Sequence, residues 1–208
     1  MSQKDIGNKI PLSELKTGKE VELYYDEWAK NNKYNIDLAD WNYSGPKESV
    51  DLFTKYNFNK NIKIMDAGCG SGLVGIELKK KGFTNIDGAD FSQKMLDLIP
   101  NNTYQNIYKI DFNQKLNIKD NQYQGMMCIG SFTFAHINSS VLSEMVRISD
   151  KGSFICFTIN PGVYEDYGFD KKIKELEDNK SWKIIEFYKS NYLASKDVNA
   201  WLLIAEVI

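Results

Sequence analysis

The sequence predicts an α/β fold: a seven-stranded, mainly parallel sheet flanked by helices, with an antiparallel edge strand at the C-terminus. Two observations support this fold class. From residue 61 onward, short apolar runs alternate with segments of helical periodicity, which is typical of right-handed βαβ units. The last two apolar runs lie close together along the chain, which favours an antiparallel end to the sheet. A length of 208 residues suits one domain with a substantial core.

The first 60 residues predict a helical cap ahead of the sheet. Residues 1–20 are polar and predict a loosely held arm. Residues 21–33 predict a helix that places Tyr24, Tyr25 and Trp28 on one face. A Gly-Pro turn then starts a second helix with its own apolar face. We therefore expect an N-terminal helical lid or cap at residues 1–60 and a main domain at residues 61–208, which together form one structural domain.

The remaining elements follow in order along the chain. Two continuous apolar runs, at 125–129 and 153–159, predict strands that are buried on both faces. The helices after the first strand are predicted up to residue 81 and at 92–99, 140–148 and 170–178. The seven strands are predicted at residues 62–66, 85–89, 104–110, 125–129, 153–159, 182–188 and 201–208.

Composition narrows the possible functions. The formal net charge is −2, whereas a protein that binds mainly phosphate backbones is expected to carry a basic excess, so nucleic acid is an unexpected partner. The three cysteines are widely spaced and His136 is the single histidine, so we predict no metal site. No apolar stretch approaches the roughly 20 residues of a membrane span, and no secretory signal opens the chain. We therefore expect a cytoplasmic protein with no membrane partner.

A glycine-rich loop after the first predicted strand carries the strongest functional signal. The strand ends near Asp66, and Gly68, Gly70 and Gly72 follow at alternate positions before a helix. Glycines allow close approach of the backbone to a ligand, and the helix N-terminus offers free N–H groups. In open parallel sheets, such ligands bind beyond the carboxyl ends of the strands.

Two ligand classes fit this loop. Gly70, Gly72 and Gly75 form the dinucleotide pattern G-x-G-x-x-G, and Asp90 follows Gly70 by 20 residues. That alignment buries Asp66 inside the strand, where an unpaired carboxylate costs on the order of several kcal/mol. The other alignment ends the strand at Asp66 and places its carboxylate at the ligand. It favours a ligand with positive charge, such as an ammonium and a sulfonium.

Three segments together resemble class I S-adenosylmethionine-dependent methyltransferases. Residues 64–72 are similar to the first motif of that family, residues 86–96 to the second strand with its ribose-binding acid, and residues 110–112 to the acid after the third strand. The resemblance implies a Rossmann-like fold, S-adenosyl-L-methionine as the cofactor and methyl transfer as the activity.

Three further segments resemble a narrower group within that family. Residues 25–29, 42–47 and 128–136 are similar to the methyltransferase-like protein of the Williams–Beuren syndrome region and its relatives. Those are orphan methyltransferases, so this resemblance implies a class of activity but no substrate.

The family resemblance also implies roles for individual residues. The loop residues Gly68, Cys69, Gly70, Gly72 and Leu73 are expected around the methionine half of the cofactor, with Asp66 orienting that loop, directly or through water, toward the cofactor's amino group. Asp90 is expected at the ribose hydroxyls, Asp111 and Phe112 at the adenine edge, Phe91 and Met95 over the adenine faces, Ile129 at the end of the fourth strand, and Tyr25 and Trp28 in an aromatic lid. Met95 and the lid aromatics fit ordinary core packing as well.

His136 is the candidate catalytic residue. It follows the fourth strand, on the sheet edge where methyl acceptors bind in this fold, and a neutral imidazole can remove a proton from an acceptor. A packing or capping role fits the same position. We expect an unidentified small-molecule acceptor, whereas a protein or RNA methyltransferase and a non-catalytic cofactor-binding module remain alternatives. The sequence leaves the oligomeric state open.

Overall fold

The computed structural model describes residues 12–15, 17–134 and 137–208. Its seven strands are β1 (Ile64–Ala67), β2 (Ile86–Asp90), β3 (Asn106–Lys109), β4 (Tyr123–Phe132), β5 (Ser149–Ile159), β6 (Trp182–Leu193) and β7 (Val198–Val207). Its helices are α1 (Gly18–Ala29), α2 (Lys33–Asp40), α3 (Gly45–Tyr56), α4 (Leu73–Lys80), α5 (Gln93–Leu96), α6 (Val141–Ile148), α7 (Pro161–Tyr164) and α8 (Phe169–Asp178).

The strands form one sheet in the order β3-β2-β1-β4-β5-β7-β6. The pairs from β3 to β5 are parallel, and β7 is antiparallel to both of its neighbours. The predicted fold class is therefore confirmed. The structure adds that the reversed strand β7 lies inside the sheet, between β5 and β6, and its residues 202–205 are completely buried. Strand β6 forms the edge and has a half-buried face.

Several strands extend beyond their predicted ends. The fourth strand runs over Tyr123–Phe132 instead of residues 125–129, and the fifth begins at Ser149 instead of residue 153. Pairing between these two strands continues beyond the apolar runs, through Tyr123 with Ser149 and Phe132 with Ile159, so periodicity alone underestimates these strands.

Apolar side chains cover both faces of the sheet. One core cluster includes Phe132, Phe157 and Trp182 under α6 and α8, and another includes Phe53 and Phe83 beside α3 and α4. None of the helices in the described ranges is long and apolar enough to cross a membrane. The helices on the two faces of the sheet leave a cavity at the carboxyl ends of β1 to β4.

The predicted helix at residues 21–33 is two helices in the structure. The first begins at Gly18, where Thr17 and Glu20 form a reciprocal capping box. Asn31 and Asn32 then adopt left-handed φ angles of 54° and 59°, which asparagine tolerates better than most residues. The chain turns there and continues as α2, so both helices cover the same edge of the sheet.

Candidate functional site

A cavity of about 550 Å³ lies beyond the carboxyl ends of β1 to β4. This volume is in the usual range for a site that binds one small ligand. The structure brings most of the predicted cofactor residues together here: the cavity is lined by Tyr25, Gly68, Gly70, Asp90, Phe91, Met95, Asp111, Phe112 and Ile129.

The glycine loop between β1 and α4 has the backbone conformation that its sequence suggested. Gly68, Gly70 and Gly72 have φ angles of 69°, 53° and 90°, in the region that side chains disfavour. A Cβ at Gly68 would lie 2.0 Å from the Ser131 Oγ atom. The Ser131 hydroxyl therefore occupies the space that a side chain at residue 68 would need, and it donates a hydrogen bond of 3.3 Å to the Gly68 carbonyl oxygen. The bare backbone of the loop therefore forms part of the cavity wall.

Asp90 ends β2 with its carboxylate at the cavity. Its two oxygens each accept one backbone N–H at 2.9 Å, from Gly70 and from Ser92. Burial raises the pKa of Asp90, and these backbone hydrogen bonds lower it in part. Each carboxylate oxygen can accept a second hydrogen bond, so the group can bind two neighbouring hydroxyls of a ligand.

The structure does not bring Asp66 to the cavity. Its side chain is fully buried, and Oδ2 accepts a hydrogen bond of 2.5 Å from the Tyr104 hydroxyl. Burial raises the pKa of Asp66 to about 7, the Tyr104 hydroxyl opposes that rise, and Asp90 adds to it. The expected position of this carboxylate at the ligand is therefore not met, because the side chain is buried against Tyr104, whereas its role in orienting the glycine loop stays a prediction.

Tyr104 is a residue that the sequence analysis missed. A Cβ at Gly75 would lie 2.5 Å from its ring, and a Cβ at Gly88 would lie 2.9 Å from it. Two glycines, one on α4 and one on β2, thus make room for this ring beside the glycine loop. A glycine in a strand can mark such a close approach, and Gly88 was the available signal.

Four other predicted residues lie outside the cavity lining. The Trp28 ring packs among the aromatic side chains of α1 and α2, and its Nε1 donates to Asp37 at 2.7 Å. Leu73 packs against the same cluster. Cys69 is buried, its backbone N–H donates to Ala89 at 2.9 Å, and burial raises the pKa of its thiol. Gly72 is the N-cap of α4.

The predicted adenine end of the cavity is formed after β3. Asp111 is exposed and accepts a hydrogen bond of 2.9 Å from the Asn113 backbone, while Phe112 is buried. Phe91 and Met95 line the cavity from the segment after β2. A flat apolar space with a carboxylate at its rim can hold a heterocycle that carries an amino group.

The helices α1 and α2 roof the cavity with Tyr25 and Tyr34 among the lining residues. Three polar contacts connect this roof to the rest of the site. They are Glu22 with Lys109 at 2.9 Å, Asp26 with Ser92 at 2.7 Å and Asn35 with Ser71 at 2.6 Å. Lys109 and Lys19 lower the pKa of Glu22, which keeps the first of these contacts charged. Tyr34 was not among the predicted site residues because the predicted helix ended at residue 33.

His136 lies outside the described residues, so its catalytic role stays a prediction. The neighbouring Ile137 lines the cavity.

Comparison with known proteins gives consistent results. A family model described as a methyltransferase domain matches residues 64–152. The chain is 27% identical over 139 residues to human methyltransferase-like protein 27, a match covering 65% of this chain and 56% of the relative. It is 23% identical over 136 residues to the ribosomal protein L11 methyltransferase of Thermotoga neapolitana, covering 65% and 49%. The chain spans about half the length of the curated relatives it matches.

Solved structures share the fold. A magnesium protoporphyrin IX methyltransferase from Synechocystis PCC 6803, solved with bound S-adenosylmethionine, has a TM-score of 0.70 at 17% identity and covers 93% of this chain and 98% of its own. A chain from a Haloferax volcanii complex that contains the methyltransferase activator Trm112 has a TM-score of 0.66 at 15% identity, with the match covering 88% of this chain and 97% of its own. At these identities the likeness concerns the fold.

Proposed function

We infer that this chain is a class I S-adenosylmethionine-dependent methyltransferase, the class that the family match, the shared fold and the cavity support. The observation that carries the inference is Asp90. Its buried carboxylate stands at the cavity, where backbone N–H groups hold it in place, and its remaining acceptor capacity suits two ribose hydroxyls.

The residues of the cavity fit an adenosine that carries a methionine tail. Gly68 and Gly70 present backbone without side chains, so a tail can pass close to the loop. Asp111 and Phe112 would bind the adenine edge, and Phe91 and Met95 would cover its faces. Asp66 lies outside the cavity lining and would orient the glycine loop from beneath.

When bound, S-adenosylmethionine supplies a methyl group that its sulfonium has already activated. The protein's own residues then have to orient the two reactants and exclude water. Asp90 would fix the ribose, the glycine loop would fix the tail, and Tyr25 and Tyr34 would close the cavity from above. Alignment of this kind can lower a barrier by roughly 7–11 kcal/mol.

We further propose that the acceptor is a small molecule. The roof formed by α1 and α2 covers part of the cavity, and its three polar contacts hold it against the glycine loop, the N-cap of α5 and β3. A partly covered cavity of this volume favours a small acceptor over RNA or a protein segment, which would need a long open groove. In this proposal the predicted N-terminal lid at residues 1–60 covers the cavity through α1 and α2. The similarity to methyltransferase-like protein 27 supports a kinship with that group, and the cytoplasmic location remains a prediction.

A thermal-shift assay tests the cofactor. A ligand at about 100 times its Kd adds roughly 2.7 kcal/mol to the free energy of unfolding, and each kcal/mol moves the Tm of a domain this size by roughly 2–4 °C. S-adenosylhomocysteine should therefore raise the Tm by about 5–10 °C, while NAD should not. Stabilisation by NAD alone would contradict the proposed function.

A transfer assay with methyl-labelled cofactor tests the acceptor. Label should appear in a small-molecule extract and not in protein or RNA fractions. Label in protein or RNA would contradict the small-molecule proposal. Cofactor binding without transfer to any fraction would support a non-catalytic module.

A further inference from the structure

The direction of the Asp90 carboxylate depends on two short segments of backbone. Its Oδ1 atom accepts the N–H of Ser92 and its Oδ2 atom accepts the N–H of Gly70, each at 2.9 Å. The Phe91 backbone adds an interaction that lowers the pKa of Asp90. Whatever fixes residues 70 and 92 in place therefore also fixes this carboxylate at the cavity.

The first of these segments is held by the roof helix α1. The Ser92 side chain is fully buried, and its Oγ atom accepts the Met95 backbone N–H at 3.2 Å as the N-cap of α5. The same Oγ atom donates to Oδ1 of Asp26, on α1, at 2.7 Å. A hydroxyl has a single proton, so Asp26 takes the only one that Ser92 can donate. Ser92 thus contacts the roof through its side chain and Asp90 through its backbone.

The second segment is held by the roof helix α2. Ser71 follows Gly70 in the glycine loop, and its buried Oγ atom donates to Oδ1 of Asn35 at 2.6 Å. The Nδ2 atom of Asn35 donates at 2.7 Å to Oδ1 of Asn32, in the left-handed turn between the two roof helices. Both ends of the Asn35 amide are therefore occupied, which sets its orientation. The roof holds the glycine loop one residue away from the N–H that binds Asp90.

Asp26 and Asn35 do not line the cavity themselves. The apolar side chains of the roof, among them Val21, Tyr24 and Trp28, already form a packed cluster that also includes Phe91. Hydrogen bonds are directional, whereas apolar packing is not, so the two polar contacts add a fixed direction to this packing. They act on the backbone that holds Asp90 and not on the ligand.

We propose that Asp26 and Asn35 are positioning residues of the ribose site, which act through Ser92 and Ser71 to direct the Asp90 carboxylate toward the ribose hydroxyls. The proposal rests on the proposed function, because it assigns a role within the same cofactor site. A carboxylate that is already held in its binding direction loses less freedom when a ligand binds. Loss of either contact should therefore reduce the preference for ribose hydroxyls more than the affinity for the rest of the ligand.

Calorimetry on the full chain tests this proposal with two probes, S-adenosylhomocysteine and its 2′,3′-dideoxy analogue, which lacks both ribose hydroxyls. The wild type should prefer S-adenosylhomocysteine, and Asp90→Ala should abolish most of this preference. Asp26→Ala and Asn35→Ala should each reduce the preference roughly three- to tenfold by weakening S-adenosylhomocysteine binding. The Kd of the dideoxy analogue should stay within about twofold of the wild-type value in both variants.

Two further variants separate the hydrogen bond from other effects of the roof. Asp26→Asn removes the charge but keeps a side-chain oxygen that can accept from Ser92, so it should recover most of the preference. An equal loss in Asp26→Asn and Asp26→Ala would overturn the role of the Ser92 contact. Glu27→Ala is the matched control, because Glu27 is the next residue of α1, pairs with Lys30 and does not line the cavity. It should leave the preference unchanged.

The outcomes also separate this proposal from the proposed function. If S-adenosylhomocysteine does not bind the wild type, the proposed function fails and the positioning role fails with it. If it binds with a preference that both alanine variants retain, only the positioning role is overturned. Equal weakening of both probes also overturns it, because a roof that merely braces the fold affects both ligands alike. Since the two variants alter different helices, loss of folding in one leaves the other as the test.

Discussion

Asp87 and Asp66 lie on neighbouring strands of one sheet with both side chains fully buried, but their surroundings differ. Asp87, near the amino end of β2, has a complete set of partners. Oδ1 accepts from Asn106 at 2.7 Å, and Oδ2 accepts from Tyr123 at 3.0 Å and pairs with Lys63 at 3.1 Å. A buried charge with this many partners is a structural element of the sheet.

At the carboxyl edge of the same sheet, the protein's own hydrogen bonds do not use all the acceptor capacity of the two aspartates, Asp66 and Asp90. Asp66 accepts a hydrogen bond from the Tyr104 hydroxyl on Oδ2, and the Gly75 backbone also lowers its pKa, while its Oδ1 atom is buried without a hydrogen bond. Asp90 has backbone partners on both oxygens and faces the cavity with acceptor capacity to spare. One end of the sheet is thus satisfied by the protein alone, and the other keeps polar capacity for a ligand. We therefore predict that Asp90 controls ligand binding and that Asp87 controls stability.

The largest expected effect is on binding, in Asp90→Ala. Two charge-assisted hydrogen bonds to the ribose hydroxyls would be lost, each worth roughly 1.5–3 kcal/mol. Calorimetry should show a Kd for S-adenosylhomocysteine that is weaker by at least about a hundredfold. Asp97→Ala, which removes an exposed carboxylate from the next helical segment, should bind as the wild type does. An Asp90→Ala protein within tenfold of wild-type affinity would contradict the ribose assignment.

Asp87→Ala should show the opposite pattern, with a loss of stability. Removing this carboxylate leaves Lys63, Asn106 and Tyr123 without their buried acceptor, at a cost of about 3–5 kcal/mol. Urea denaturation at pH 7 should show the decrease in the free energy of unfolding. The folded fraction should bind S-adenosylhomocysteine with unchanged affinity. A weakened ligand affinity at wild-type stability would show that the comparison between the two ends is wrong.

Because its pKa is raised, Asp66 should make the free energy of unfolding decrease as the pH rises. Between its ordinary value of about 4 in the unfolded chain and about 7 in the folded protein, the folded state holds a proton that the unfolded state has released. Its contribution to stability is complete below about pH 4 and declines by about 1.4 kcal/mol per pH unit up to about pH 7. Asp66→Asn should flatten the free energy of unfolding across this window. An identical pH profile in both proteins would refute the raised pKa.

Local patterns were sufficient to predict the architecture and much of the cavity. The glycine loop and Asp90 were predicted because positive-φ glycines and an acid at a strand end leave signals in adjacent residues. The break between α1 and α2 was missed because asparagine at residues 31 and 32 is compatible with a helix as well as with a left-handed turn.

The direction of Asp66 could not be predicted for a different reason. We expected its carboxylate at the ligand because burial of an unpaired carboxylate is costly. In the structure Tyr104, 38 residues away in sequence, provides a partner for that carboxylate. The pKa of about 7 also means that the neutral, protonated form, which costs less to bury, is populated near neutral pH. Such a long-range contact depends on the packing of a ring over Gly75 and Gly88, which one sequence does not display as a motif.

The smallest expected effect comes from removing that contact alone. Tyr104→Phe keeps the ring over Gly75 and Gly88 but deletes the hydroxyl that donates to Asp66, so the free energy of unfolding at pH 7 should fall by roughly 0.5–1.5 kcal/mol. Because the Tyr104 hydroxyl lowers the pKa of Asp66, its loss should also move the end of the stability decline to a higher pH. Tyr108→Phe, on the exposed strand β3, is the matched control and should change neither quantity. If Tyr104→Phe matched the wild type in both, the partner of Asp66 would have to be sought in the ligand, as its sequence position first suggested.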